Sequence, residues 1–241
     1  MRQELVARQL DERIAAHHPV GRRLRVLDAG LGQGVQALRL ARAGHEVTAL
    51  EPDPAALAAA RAAVAREPAG IQERIRLVQG DARDIGAHFP PGTFDVVLCH
   101  GVLMYVPEPA PVLAGLARVL AAGGLLSLVV RNADALALRP GLAGDWDAAL
   151  AAFGSTTYTS RLGLPVRADR LTDLSAALTG VGAPLDRWYG VRLFTDPVAD
   201  DRPPPAPEVL ERLLAAEERA GRTDPYRAVA ALLHLCGVRR S

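Results

Sequence analysis

Residues 24–130 alternate short, nearly unbroken apolar runs with longer stretches of helical period. The runs lie at 24–27, 46–50, 75–78, 94–99 and 125–130, the last apolar except for Ser127. Helical patterns fill the gaps at 35–43, from near Pro54 to just before the turn Pro68-Ala69-Gly70, and at 110–121, stopping at Gly123-Gly124. A strand with no polar face must be covered on both sides, which βαβ crossovers do by construction. The pattern therefore predicts an α/β fold with a doubly wound, mostly parallel sheet and helices on both faces.

The rhythm changes after Val130. Residues 131–170 are mixed, with turn signals at Pro140-Gly141 and Gly163-Leu164-Pro165. A helix near 171–178 and a strand at 186–194 resume the alternation, and 200–207 (DDRPPPAP) reads as a stiff polyproline-like connector. An amphipathic helix at 208–220 and an apolar run at 232–238 that closes the sheet bring the expected strands to seven. The expected organisation is one domain over 1–241: a helical segment at 1–23, a core at 24–130, an insertion at 131–185, and C-terminal strands and helix at 186–241.

Composition narrows the chemistry. The 28 basic side chains balance 27 acidic ones at a net charge of +1, so there is no overall basic field of the kind that draws nucleic acid. Every basic residue is Arg, which removes Schiff-base lysines and the P-loop lysine. Cys99 and Cys236 have neither disulfide nor zinc spacing, and no metal-ligand pattern is present. The start MRQELVARQL has no apolar signal region, and the longest apolar stretch, 119–130, is too short to span a bilayer. A cytoplasmic protein that does not engage membranes is expected.

The first strand-to-helix turn reads Val26-Leu27-Asp28-Ala29-Gly30-Leu31-Gly32-Gln33-Gly34. Glycines there let the backbone approach a ligand, and the next helix presents free N–H groups. The spacing is Gly-x-Gly-x-Gly, and an acid stands two residues before the first glycine. Together these resemble the first motif of the class I S-adenosylmethionine-dependent methyltransferases. That resemblance implies a Rossmann-like methyltransferase sheet, with S-adenosylmethionine as cofactor and S-adenosylhomocysteine as product. It places Asp28, Gly30, Leu31, Gly32 and Gly34 at the methionine end of the cofactor. Glu51, followed by Pro52, fits an acceptor for the ribose hydroxyls, and Asp81-Ala82 stands where the family contacts adenine. His100 ends the fourth strand, at the border of cofactor and acceptor. Taken singly, Asp28 reads equally as a turn acid, Glu51 as a solvated loop residue and His100 as a polar strand cap; Cys99 reads as core.

Further stretches resemble the bacterial tRNA 5-carboxymethoxyuridine methyltransferase family: LRVLDAG, ARAGHEV, the Arg131-Asn132-Ala133 junction, AGDWD, GVRLF and Asp224-Pro225-Tyr226. Carried over, Arg2 meets the cofactor carboxylate, His100 its far side, and Arg192 and Tyr226 face the acceptor. Tyr105 and Trp146 are further candidates for the acceptor pocket, Trp146 alternatively as an anchor of the 131–170 segment. The family's Lys-rich run is replaced here by Ser155-Thr156-Thr157-Tyr158-Thr159-Ser160-Arg161, and its fourth-strand Glu by Met104. Phosphate contacts dominate nucleic-acid affinity, so the expected acceptor is an oxygen or nitrogen of a small molecule. A tRNA wobble-uridine carboxylate is the alternative, and a cofactor-binding protein without turnover is a third. His100 and Arg192 are the candidate catalytic residues, His100 as the base that a hydroxyl or amine acceptor needs.

Overall fold

The computed structural model describes residues 1–160, 163–197 and 205–240. Arg161 and most of the proline-rich connector lie outside the described residues. In chain order the elements are α1 (Arg2–His17), β1 (Arg25–Ala29), α2 (Val35–Arg42), β2 (Glu46–Glu51), α3 (Pro54–Val64) and α4 (Ala69–Gln72). Next come β3 (Ile75–Gln79), α5 (Ile85–His88), β4 (Phe94–His100), α6 (Pro109–Val119) and β5 (Leu120–Arg131). The remainder is α7 (Leu138–Leu142), α8 (Trp146–Ala152), β6 (Thr157–Thr159), β7 (Pro165–Arg167), α9 (Leu171–Gly180), β8 (Leu185–Val191), α10 (Pro207–Ala220) and β9 (Leu232–Val238).

Seven strands form one sheet in the order β3-β2-β1-β4-β5-β9-β8. Pairing is parallel from β3 through β5, and β9 runs antiparallel to both its neighbours. Alternate residues of the central strands feed two cores. Leu27, Val97, Leu126 and Leu128 pack against Leu113, Leu116, Leu174 and Leu178 of α6 and α9. Val26, Val96, Leu98 and Leu125 pack against Leu10 of α1 and Leu40 of α2 on the other face. Coverage of both faces is what the unbroken apolar strands require. The chain leaves β1 toward β2 on one side and reaches β4 on the other, so the loops after β1 and β4 diverge and open a crevice. No helix among the described residues is long and apolar enough to cross a membrane.

The structure moves three boundaries. α6 stops at Val119, and β5 already begins at Leu120. Its register jumps from Phe94↔Leu120 to Val96↔Leu125, which lets Gly123 turn at φ 72° before regular pairing begins. β8 ends at Val191 rather than 194, because Arg192 takes a left-handed φ of 63° and breaks the ladder. The mixed segment after Val130 is ordered into α7, α8 and the β6–β7 hairpin. Its elements are too short to imprint a period on the sequence.

Candidate active site

A cleft of about 2210 Å³ opens over the carboxyl ends of β1, β2 and β4. Gly30 and Gly32 form its floor at the first turn. Gly30 has φ 91°, and a Cβ there would run into the Val102 side chain of the opposite loop, so both backbone and space call for glycine. Gly32 has nothing within 4 Å of the equivalent position, which leaves its backbone open to a ligand. Leu31 turns inward, 6% exposed, into the core beneath the loop, and Gly34 begins α2. Neither Leu31, Gly34 nor Asp28 lines the cleft.

The acids of this end differ in state. Glu51 accepts from the Gly32 N–H at 3.0 Å and from the Asp53 N–H at 3.1 Å, tying the β2 end to the glycine turn. Asp53 then caps α3 through the Ala55 and Ala56 amides, ahead of Pro54. Asp81 accepts from the Arg83 backbone and guanidinium, which hold its carboxyl below the usual range. Asp28 is 4% exposed, and no described residue hydrogen-bonds its carboxyl. Burial, and then the Glu51 charge, push it up to about 8. A positive charge held at the glycine turn would favour ionisation of this buried carboxyl.

His100 lines the cleft at the end of β4, beside Gly101 and Val102. Its Nε2 lies 2.8 Å from Ser127 Oγ on β5, and burial, with His234 and Arg2 nearby, holds the ring well below its ordinary pKa. It is therefore neutral. Arg2, the first residue of α1, reaches the same rim, with Nη1 3.9 Å from where a Gly101 Cβ would stand. Pro52, Asp81 and Ala82 line the cleft farther along, near Glu51. Cys99 is fully buried, and its thiol is pushed up to about 12, in keeping with a core role.

The outer half is built after β5. Arg131 pairs with Asp196 at 3.1 Å and stacks 5.4 Å above the Tyr158 ring, joining the β6–β7 hairpin to the turn after β8. Asn132 is 1% exposed; its amide donates to the Ala228 and Ala230 carbonyls, both at 2.9 Å. The turn that carries Arg192 is held by Glu217 of α10, 1% exposed, which accepts from the Leu193, Phe194 and Thr195 amides and the Thr195 hydroxyl at 2.8–3.1 Å. Arg192 and Tyr105 line the cleft. Trp146 and Tyr226 do not, which corrects the expectation for both. Trp146 is 68% exposed, so it does not anchor its segment either; Asn132 and Arg131 do that instead.

Comparison with known proteins decides the family. Residues 27–128 match a family model described as a methyltransferase domain. Over 235 residues the chain is 32% identical to the tRNA 5-carboxymethoxyuridine methyltransferase of Escherichia coli O157:H7, spanning 98% of this chain and 87% of that protein. The chain is a class I S-adenosylmethionine-dependent methyltransferase. A ubiquinone biosynthesis O-methyltransferase from Xanthomonas campestris pv. campestris (strain B100) is 34% identical over 108 residues, 45% of this chain and 43% of that one. A solved S-adenosylmethionine-dependent methyltransferase from Methanosarcina mazei shares the fold, with a TM-score of 0.65 over 94% of this chain and 96% of that one at 18% identity.

Several groups that shape the methyltransferase cleft escape sequence reasoning. Glu217 and Asn132 look like ordinary helix and loop residues until their partners are placed beside them. Ser127 does leave a signal, as the one polar residue in its apolar run.

Proposed function

We propose that this methyltransferase transfers a methyl group to an oxygen or nitrogen of a small-molecule acceptor seated in the outer half of the cleft. S-adenosylmethionine, when bound, supplies a methyl group on a sulfonium, an electrophile for which alignment and exclusion of water are the protein's main tasks. Glu51 takes the ribose hydroxyls on the lone pairs that Gly32 and Asp53 leave over, with Pro52 alongside. Asp81 and Ala82 border the adenine, and Arg2 meets the cofactor carboxylate. Asp28 balances the cofactor's positive charge from behind Gly30 and Gly32, while Leu31 and Gly34 hold the turn in shape. His100 and Arg192 stand between cofactor and acceptor, His100 as the base for a hydroxyl or amine. On this reading residues 24–130 carry the cofactor, and 131–185 border the acceptor within a single domain.

The outer wall carries the small-molecule reading. On this wall Arg131 is paired with the carboxylate of Asp196 at 3.1 Å. Ser155, Thr157, Thr159 and Ser160 bring hydroxyls where a nucleic-acid binder would place cations. A second reading, a carboxylate on the wobble uridine of tRNA, is favoured by the near full-length likeness to the Escherichia coli enzyme. Such a carboxylate needs no base. Mass spectrometry of tRNA nucleosides and of small metabolites from a deletion strain and its parent separates the two. An accumulated unmethylated metabolite with unchanged tRNA is the expected result; a missing methylated uridine overturns the first reading in favour of the second.

A further inference from the structure

On the α1 side of the sheet, a chain of buried polar groups runs from the cleft into the interior. His100 Nε2 lies 2.8 Å from Ser127 Oγ, Ser127 Oγ lies 2.8 Å from His234 Nε2, and His234 Nδ1 lies 2.8 Å from Gln9 Oε1 of α1. Ser127 and His234 are fully buried, and Gln9 is 1% exposed. Four polar side chains in the middle of an apolar layer are costly unless each hydrogen has a partner. Here the partners also dictate where every hydrogen sits.

The Gln9 amide nitrogen donates to the Gly190 carbonyl at 3.5 Å. Reversing the amide would set two oxygens against each other, so Gln9 presents Oε1 to His234. An oxygen of this kind only accepts, and His234 Nδ1 therefore carries the hydrogen. Burial pushes His234 down to about 3, so the ring is neutral and its Nε2 is bare. At 2.8 Å a hydrogen must lie between that nitrogen and Ser127 Oγ, and the hydroxyl is the group that has one. The Cys236 thiol, 3.5 Å from the same nitrogen, adds a second weak donor to it. With its hydrogen committed, Ser127 can only accept from His100, whose Nε2 is the protonated nitrogen. His100 is neutral as well, so Nδ1, across the ring from Ser127, is a lone pair.

We infer that Gln9, His234 and Ser127 are positioning residues that lock His100 in one tautomer, so that its nitrogen on the cleft side accepts a hydrogen bond and the ligand group seated there is a donor. This rests on the reading of His100 as a cleft contact. The donor is either the ammonium of the cofactor or a hydroxyl or amine of the acceptor. In the second case the same lone pair is the site that receives the acceptor's proton.

The test is a long-range proton–nitrogen correlation spectrum of the full chain, with labelled histidine and S-adenosylhomocysteine bound. Wild type should show His100 protonated at Nε2 and bare at Nδ1. In Gln9→Met the acceptor is gone, so His234 protonates Nε2, Ser127 turns its hydrogen to His100, and His100 protonates Nδ1. Transfer of labelled methyl groups from S-adenosylmethionine into an extract of the deletion strain should then fall about tenfold or more. Ser127→Ala cuts the chain at its middle and should leave His100 in mixed tautomers, a check independent of how well Gln9→Met folds. A loss of S-adenosylhomocysteine affinity in Gln9→Met assigns the donor to the cofactor's ammonium; a loss in transfer alone assigns it to the acceptor. A wild-type His100 protonated at Nδ1, or an unchanged tautomer in folded Gln9→Met, overturns the lock. His100→Ala with full affinity and transfer, beside the expected tautomers, would instead sink the reading of His100 as a contact and leave the lock standing.

Discussion

From Gly30 to Val102, each residue of the inner cleft wall stands within four residues of the end of a parallel strand. The outer wall has no such frame. It is gathered from the segment after Arg131, the turn after β8 and α10, and side chains hold it together: Arg131 to Asp196, Arg167 to Asp169, Asn132 to the C-terminal carbonyls, Glu217 to the Arg192 turn. The inner half is rigid because the sheet is rigid. The outer half is only as rigid as a few buried polar contacts, and exchanging them can reshape an acceptor pocket without touching the cofactor end. One fold can serve many acceptors by this division.

The sharpest way to break this contrast is at Glu217. Glu217→Ala leaves three amides and a hydroxyl of a half-buried turn without their buried acceptor, and should cost on the order of 3 kcal/mol of stability in denaturant unfolding. S-adenosylhomocysteine affinity of the folded fraction should stay within about threefold; a collapse of affinity would mean that the halves are mechanically one. At the inner end, Gly30→Ala drives a methyl group into Val102 at a φ of 91°. It should weaken S-adenosylhomocysteine binding in calorimetry by about 2 kcal/mol, roughly thirtyfold.

A smaller effect comes from Asp28. With its carboxyl raised to about 8, the folded apo protein keeps a proton that the unfolded chain has released above the ordinary carboxylate range. Apo stability therefore falls as pH rises toward about 8. S-adenosylmethionine, a sulfonium, needs the ionised carboxyl, so its binding expels that proton, and its affinity should rise about tenfold per pH unit up to about 8 and then level off. Asp28→Asn should flatten the profile; a slope that survives this substitution would assign the proton elsewhere. Smallest of all, Trp146→Ser should change thermal stability by less than about 0.5 kcal/mol, because the ring is 68% exposed. A larger loss would show that the outer half has a packed anchor after all.

The same contrast explains how far the sequence could be read. The glycine turn, Glu51 and Asp81 are legible as cleft residues because each lies beside the end of its own strand, and the pattern of glycine and acid falls within a few residues. Five of the seven main-sheet strands are foreseen within two residues at both ends, since burial on both faces leaves an apolar signature. Glu217 acts on residues 22–24 positions away, Asn132 on carbonyls 96 and 98 away, and Gln9 on a ring 225 away. No local pattern reports contacts of that span. The Arg192 backbone belongs with them, because its left-handed φ is imposed by the turn that Glu217 holds and not by its own residue type.

The placement of β9 has a consequence for the order in which the molecule is made. Residues 232–238 insert between β5 and β8, so β8, translated some forty residues earlier, meets its neighbour in the sheet only when this last strand arrives. On the ribosome, β1 through β5 can pair while β8 waits. His234 comes with β9, so the proton order of the cleft histidine is set only once that strand has been made, after the cofactor turn already exists.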